Sequence, residues 1–443
     1  MQRRQFLRVA ASAAAGIGLF KASSAEANPP HPRFPAGDAP WKPTWDAALA
    51  VLAGNVKSVP KYDQPMLMEG AVYPGAWMEC GPQEALVYAG LRRFVPITDG
   101  PQSPLAVARA NHMGFFALQT DEGQLPSSIK VSGEVGFGQL QMVVPIAATA
   151  WELVQRTHDD ELLHAAYTAC SRWDAWLRRY RDTRRTGLVE GFCTYDTGHD
   201  NSPRWKGIPN RCPDSDARKC PPIASMPRLC PDLSATVYGA RIALAAMAHA
   251  LGKPDDAARW QQDAETLRLL ILSKLYDPED AAFYDLDAQN RFVKVRGDVI
   301  TRVLGEHVLK LDIPGDRRIF DAVWTRQLHN PAAFWTPYPF PSIAIDDPAF
   351  VRPIPRNSWG GAAQALTALR APRWMEHYGK RAELRTLMHA WVTAIAHSGT
   401  DGGPGEFRQQ MDPLTGEFTR ADRSGYSPAA LVYLDFVRRL ARS

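Results

Sequence analysis

The residues best suited to chemistry lie in one short segment, "YDTGHDNSPRW", residues 195–205. It places two aspartates, a histidine, an asparagine, a serine and an arginine between two aromatic residues. Gly198 and Pro203 interrupt any regular element, so an ordered loop is predicted. Asp200 could donate a proton if its surroundings raise its pKa, or its side chain could simply form an Asx turn that caps a helix. Asp196 and His199 are weaker candidates for chemistry.

The N-terminal segment "MQRRQFLRVAASAAAGIGLFKASSAEA" is typical of an export signal. Arg3 and Arg4 precede a short apolar run, and a small-x-small pattern ends at Ala27, where cleavage is expected. The run is too short to span a bilayer, and the paired arginines resemble a twin-arginine signal. We therefore expect residues 1–27 to be removed and residues 28–443 to form one exported catalytic domain, periplasmic or extracellular.

The net charge of the chain argues against nucleic acid as a partner. The whole chain carries +4, and residues 1–27 contribute four basic residues and one acidic residue, which leaves +1 for the remainder. No basic surface for nucleic acid is expected, and the sequence has no second hydrophobic span for stable membrane insertion. Oligomeric state cannot be deduced from the sequence.

Apolar residues recur at helical spacing through most of the chain, which predicts an all-α fold. We expect twelve helices, arranged as hairpins, and one β-hairpin within residues 281–295 with its tip at Asp-Ala-Gln-Asn. The predicted helices are Ser103–Gln119, Leu140–Arg156, Glu161–Tyr180, Leu233–Leu251, Pro254–Leu275, Gly361–Tyr378 and Arg381–His397, with weaker patterns at Trp45–Leu52, Gln83–Arg92, Val299–Leu309, Arg317–Leu328 and Pro428–Leu440.

Long connecting segments recur after roughly every second helix and hold most of the Pro, Gly and Trp residues. A toroid of six helical hairpins would gather these loops around one central pocket, where binding and catalytic groups usually lie. The segments are 58–82, 120–138, 184–231, 329–360 and 398–426.

Several motifs together resemble the six-hairpin glycosidases. "VVPIAATAWELV", "TGHDNSPRW", "RNSWGGAAQALTALRA" and "DPLTG" with "YSPAALVYLDF" follow one another in the family's order. The nearest group is glycoside hydrolase family 63 with its mannosylglycerate and glucosylglycerate hydrolase relatives. The resemblance implies an (α/α)6 barrel, hydrolysis of an α-glycoside with release of a terminal sugar, and inversion by an Asp acid and a Glu base. It also places Asp200 at the acid position. No cofactor is expected.

The base position departs from the family pattern. The resemblance places a Glu four residues before the proline of Asn/Asp-Pro-x-Thr-Gly, where this chain has Gln409. A neutral amide cannot take a proton from water. Glu406 in the same loop is our first candidate for the base and Asp401 the second, and a different nucleophile or loss of simple hydrolysis stays open.

Sugar subsites combine aromatic faces with planar polar groups. Each tryptophan could equally belong to the core, and Trp359 beside a Gly pair is the best candidate for sugar contact. The predicted substrate-binding residues are Trp77, Glu79, His199, Trp205, Trp335, Arg356, Asn357, Trp359 and Gln409, with Gln139, Gln141, Glu84 and Tyr338 as weaker additions.

Six cysteines complete the set of reactive residues. Cys212, Cys220 and Cys230 share a Pro-rich segment after the acid loop, and in an exported protein they predict a disulfide-stapled loop in which Cys193 could take part. Their spacing is wider than zinc sites use, so no metal is expected.

Other functions remain compatible with the sequence. A phosphorylase on the same barrel would need no base, which fits Gln409, although phosphate is scarce outside the cytoplasm. A rhamnosidase or a β-glycan hydrolase would share the scaffold. A non-catalytic sugar-binding protein would be expected to lose the acid, and the motif around Asp200 is intact.

Overall fold

The computed structural model describes residues 31–34, 40–356, 358–419 and 423–441. The predicted export signal at residues 1–27 and the predicted site residue Asn357 lie outside the described residues.

The described residues contain twelve α-helices, one for each helix that the periodicity predicts. They are α1 (Trp41–Asn55), α2 (Gly81–Gly90), α3 (Pro104–Ala117), α4 (Ile146–Thr157), α5 (Asp160–Tyr180), α6 (Pro231–Ala250), α7 (Pro254–Lys274), α8 (Val299–Gly305), α9 (Pro314–Val323), α10 (Ala365–Met375), α11 (Arg381–Ala396) and α12 (Ser427–Leu440).

The even-numbered helices form a closed inner ring. Each packs on the next even-numbered helix, and α12 returns to pack on α2. Of the odd-numbered helices, α1, α3, α5, α7 and α11 pack on the outside of this ring, as α7 does on α6 and α11 on α10 and α12. The fold is therefore an (α/α)6 barrel, as the sequence predicts.

Burial distinguishes the two rings. The inner helix α12 is buried without interruption from Ser427 to Val437, because neighbours surround it on every side. The outer helix α5 buries one face and leaves the other in water. Its start is fixed by Asp159, whose side chain accepts a hydrogen bond from the Leu162 amide, and Arg178 and Arg179 lie in its last turn, where the helix dipole favours cations.

Two inner helices begin later than the periodicity predicts. Helix α4 starts at Ile146 instead of Leu140, because Pro145 caps it in an extended conformation. Helix α10 starts at Ala365 instead of Gly361, since Gln364 is still paired in a short strand. In both cases the apolar residues before the helix are buried in the loop, so burial and not helicity explains their pattern.

Short strands tie the long loops together. The strands are β1 (Val56–Val59), β2 (Tyr62–Leu67), β3 (Gly75–Trp77), β4 (Ser128–Lys130), β5 (Val135–Gly136), β6 (Glu190–Gly191), β7 (Arg228–Leu229), β8 (Tyr276–Asp277), β9 (Ala282–Phe283), β10 (Asp285–Leu286), β11 (Phe292–Val293), β12 (Ala363–Gln364) and β13 (Gln410–Met411). The predicted hairpin is present as the antiparallel pair β10–β11, and β10 also pairs with β7, which extends the sheet to β6.

The long connections precede the inner helices, so they gather at one end of the barrel. The opposite end has short connections, such as the three residues between α6 and α7. Among the described helices, none has the length and apolar character needed to cross a bilayer.

Candidate active site

A small cleft opens at the end of the barrel that carries the long loops. Its walls come from the connections before α2, α4, α6, α10 and α12, together with the first turn of α10. The lining residues are Glu69, Tyr73, Trp77, Glu79, Gln141, Gly198, Asp200, Trp359, Leu366 and Gln409. Five of the predicted site residues, Trp77, Glu79, Asp200, Trp359 and Gln409, are thus brought together, and Gln141 joins them from the weaker additions.

Asp196 organises the loop that carries Asp200, which we call the acid loop (residues 194–205). Its carboxylate accepts hydrogen bonds from the Arg181 guanidinium at 2.5 and 3.1 Å and from the backbone amides of Leu140 and Phe192, both at 2.7 Å. Every oxygen of this buried side chain is therefore engaged in holding the loop. Asp196 is a structural residue.

Arg204 anchors the other end of the acid loop. Its guanidinium donates to both oxygens of Asp232 at 2.7 Å and to both oxygens of Asp285 at 2.8 and 2.6 Å. The nearby positive charge of Arg204 lowers the pKa of the buried Asp232 carboxyl to about 2, against the opposing effect of burial. The loop is thereby fixed to the start of α6 and to β10.

His199 lies behind the cleft and does not line it. Its Nε2 is 2.6 Å from Asp298 Oδ1, and its Nδ1 is 2.9 Å from a guanidinium nitrogen of Arg204. Burial and the charge of Arg302 lower the pKa of His199 to about 4. The ring is therefore neutral near pH 7, with Nε2 donating and Nδ1 accepting, and it positions the acid loop without reaching the sugar side.

Asp200 is half-buried at the cleft wall. Its backbone carbonyl accepts a hydrogen bond of 3.0 Å from the amide of Trp359, which joins the acid loop to the loop before α10. The Trp359 ring is 2% exposed, and the guanidinium of Arg302 lies 5.0 Å from its centroid. An immobile aromatic surface thus stands beside the candidate acid, as sugar binding requires.

Glu79 lies on the same side of the cleft as Asp200. A Cβ on Gly198, two residues before Asp200, would overlap Glu79 Oε2, so the carboxylate and the loop backbone are in close contact. The amide of Gln141 donates to Glu79 Oε2. Burial, followed by the charge of Asp200, raises the pKa of Glu79 to about 7. The negative charge of Asp200 thus adds to burial in favouring the protonated form of Glu79.

Glu69 is a further carboxyl group of the cleft, and the sequence reasoning missed it. Its Oε1 accepts a hydrogen bond of 2.6 Å from the hydroxyl of Tyr426. Burial, together with the charges of Glu84 and Glu79, raises the pKa of Glu69 above its usual value. Its position in the same Gly- and Pro-rich loop as Trp77 was the only signal in the sequence.

Gln409 faces the cleft at the position where the resemblance places a base. The hydroxyl of Tyr73, another residue missed by the sequence reasoning, donates to Gln409 Oε1 at 2.9 Å. The Tyr73 ring packs against Trp77, with centroids 5.7 Å apart. An amide at this point can orient a hydroxyl group but cannot accept a proton.

Glu406, the first candidate for the base, pairs with Arg408 outside the lining of the cleft. Glu406 Oε2 accepts hydrogen bonds from Nε and a terminal nitrogen of Arg408, each at 2.5 Å, and Glu406 is not among the residues that line the cleft. Asp401 is exposed in a turn of residues 400–402. Neither carboxylate is brought to Asp200.

Three other predicted subsite residues also lie outside the cleft lining. Trp205 is a core residue, 2% exposed, and its Nε1 donates to the Thr197 hydroxyl at 2.9 Å. Trp335 packs against His329 and Phe340 beside the main core. Arg356 is exposed on its loop. Burial in the core accounts for Trp205, and packing against the core accounts for Trp335.

The six cysteines are all free thiols in the structure, which differs from the expected disulfide staple. Cys193, Cys212 and Cys220 pack together around Phe192, whereas Cys230 is buried apart from them. Two groups with metal-ligand geometry occur among the described residues, one around Cys193 and Cys212 and one around Cys230. Their carboxylates are Asp196, Asp232 and Asp285, and guanidinium groups already occupy all three.

Comparison with solved structures shows the same architecture in glycosidases. The glucose complex of a GH63 mannosylglycerate hydrolase from Thermus thermophilus superposes with a TM-score of 0.66 at 19% identity, over 88% of this chain and 99% of that chain. Neutral trehalase from Saccharomyces cerevisiae gives 0.61 at 14% identity, over 85% and 75%. A rhamnosidase from Klebsiella oxytoca gives 0.57 at 12% identity, over 93% and 65%.

The fold defines the class of this protein as an (α/α)6 barrel, the architecture that these glycosidases share. A sequence model of the mannosylglycerate hydrolase MGH1-like glycoside hydrolase domain matches residues 106–427, which is most of the chain. The chain belongs to that family.

Proposed function

We propose that this enzyme hydrolyses a small α-glycoside, releasing a terminal sugar, glucose in the first instance, with inversion at the anomeric carbon. The observation that carries the proposal is the position of Asp200, half-buried in a narrow cleft between a fixed aromatic ring, Trp359, and a second carboxyl group, Glu79. A protonated Asp200 would give its proton to the leaving oxygen, while water attacks from the opposite face.

The first prediction concerns Asp200 as the general acid. Asp200→Asn should lower turnover by roughly 10²-fold or more on glycosides with poor leaving groups, because protonation of the leaving oxygen is then essential. The same substitution should lower turnover much less on nitrophenyl glycosides, because their leaving group needs no proton. Steady-state kinetics on both substrate types measure this difference.

The matched control for this prediction is Asp214→Asn, an exposed aspartate in the connection between α5 and α6. Its turnover should stay near that of the wild type. An equal loss on both kinds of leaving group in Asp200→Asn would contradict the acid role.

The substrate is tested by a panel of glucosylglycerate, mannosylglycerate, trehalose and aryl glycosides, with NMR of the first anomer released. Release of the β-anomer from an α-glycoside supports inversion. Release of the α-anomer would contradict it. The similarity to a mannosylglycerate hydrolase and a trehalase supports this choice of panel.

A phosphorylase is the second candidate, because Gln409 lines the cleft at the position of the family base. Phosphate would then replace water as the nucleophile, and a sugar 1-phosphate would form. Dependence of turnover on added phosphate would favour this function.

Export is a second prediction, supported by the paired arginines, the apolar run and the cleavage pattern of residues 1–27. The double substitution Arg3→Lys and Arg4→Lys should retain the protein in the cytoplasm, because twin-arginine export requires the arginine pair. Fractionation of cells that express each form measures this. Normal export of the double variant would contradict the twin-arginine route.

A further inference from the structure

The cleft lacks a carboxylate at the family's base position, yet inverting hydrolysis needs one to activate water. Three carboxyl groups line the cleft among the described residues: Glu69, Glu79 and Asp200. With Asp200 as the acid, the base must be sought among the other two.

Glu79 lies on the side of the cleft that is formed by the acid loop. Its Oε2 touches the backbone at Gly198 in the acid loop, and it accepts a hydrogen bond from Gln141. Asp200 is also the strongest charge acting on Glu79. Glu79 therefore lies against the acid loop itself, whereas the base of an inverting enzyme acts on water at the face of the sugar opposite the acid.

Glu69 is placed on the side of Gln409. Tyr73, whose hydroxyl donates to Gln409, packs against Tyr426, with centroids 6.0 Å apart, and the Tyr426 hydroxyl donates to Glu69. The two tyrosines therefore hold Glu69 and Gln409 in one wall of the cleft.

Glu69 also has an oxygen atom that its hydrogen bond with Tyr426 does not use. Its Oε2 has no hydrogen-bond partner among the residues that the structure describes, so one oxygen is left for water.

We propose that Glu69 is the general base of this enzyme and replaces the glutamate that the family carries at the position of Gln409. The inference rests on the proposed hydrolytic function. The Glu69 carboxylate takes a proton from water, and the water oxygen bonds to the anomeric carbon. The glycosidic C–O bond breaks, its electron pair goes to the leaving oxygen, and Asp200 protonates that oxygen. Solvent then returns the two carboxyl groups to their starting states.

Three variants of the full chain test the assignment. Glu69→Gln keeps an oxygen that accepts from Tyr426, and it should lower kcat by roughly 10²-fold or more on good and poor leaving groups alike. Azide added to Glu69→Ala should restore turnover and yield a glycosyl azide of inverted configuration. Adding Gln409→Glu to Glu69→Gln should recover part of the activity, since it returns a base to the same wall.

The matched control is Glu306→Gln, which also neutralises a fully buried carboxyl group with a raised pKa but lies outside the cleft. Its kcat should stay within about twofold of the wild type. Glu69→Asp, which keeps the charge, should retain more activity than Glu69→Gln, and this difference separates loss of the base from misfolding.

The outcomes distinguish the two proposals. Near-normal turnover in Glu69→Gln, with loss in Asp200→Asn, overturns the assignment of Glu69 and leaves the hydrolytic function standing. Loss of turnover in Glu406→Gln alone would return the base to Glu406. Absence of any hydrolysis by the wild type, or turnover that depends on phosphate, would overturn the proposed function itself.

Discussion

Gly198 lies where the acid loop passes the carboxylate of Glu79, and its backbone has a positive φ of 61°. Both facts require glycine, because a side chain would be strained by the backbone and would collide with Glu79 Oε2. The distance between the acid loop and this carboxyl group is therefore set by one residue without a side chain.

Gly198→Ala should reduce kcat/KM by roughly 10²-fold, since displacement of catalytic groups by about 1 Å is costly. The strain of the positive φ adds a loss of stability of about 1 kcal/mol. Gly207→Ala is the matched control, because Gly207 has a φ of 80° but would place its Cβ in open space. Kinetics and thermal melts should show a loss of stability in both variants, larger in Gly198→Ala because of the collision with Glu79, and a large loss of activity in Gly198→Ala alone. Equal activity would contradict the contact with Glu79.

At the scale of elements, the acid loop is held by buried charges from several parts of the fold. Arg181 at the end of α5 fixes Asp196, and Arg204 joins the loop to α6 and β10. His199 links it to Asp298 at the start of α8. Three side chains of the acid loop, Asp196, His199 and Arg204, therefore hold the loop in the position that orients Asp200.

Arg204→Lys should destabilise the protein by about 3 kcal/mol, because lysine cannot make the paired hydrogen bonds and leaves buried carboxylates without partners. Denaturant unfolding measures the change. Arg218→Lys is the matched control, since Arg218 pairs with Asp216 and Glu122 on the surface, where such pairs contribute less than about 1 kcal/mol. Equal effects of the two substitutions would contradict the anchoring role.

At the scale of the molecule, the barrel interior contains carboxyl groups whose pKa values burial has raised. The pKa of Glu306 rises to about 7, chiefly through burial, and those of Glu79 and Glu84 rise similarly. A carboxyl group with a raised pKa favours the folded state fully below its unfolded pKa of 4.5, and that contribution disappears as the pH rises through about 7.

Glu306→Gln tests whether ionisation of this buried carboxyl group makes the stability of the protein depend on pH. Between pH 4.5 and pH 8 the wild type should lose more free energy of unfolding than the variant, by about 1–3 kcal/mol, because the amide does not ionise. Urea unfolding of both proteins across this range measures the difference. Parallel curves would show that Glu306 does not titrate in the folded protein within this range.

The sequence by itself determined the twelve helices and the end of the barrel at which the site lies. Helical periodicity reports which faces are buried, and long loops can occur only where connections are free to extend. It also singled out Asp200 as the candidate acid, because the segment from Gly198 to Arg204 gathers its polar residues in one short stretch.

Only the tertiary structure decided which side chains meet. Trp77 and Trp359 reach the cleft, whereas Trp205 packs in the core and Trp335 against it. No local pattern distinguishes them, because tryptophan is favoured in both places. Glu406 pairs with Arg408 two residues away, whereas Glu69, which is 340 positions from Gln409, joins it in one wall through two tyrosines. Such contacts arise when the barrel closes α12 onto α2, and closure depends on the whole chain.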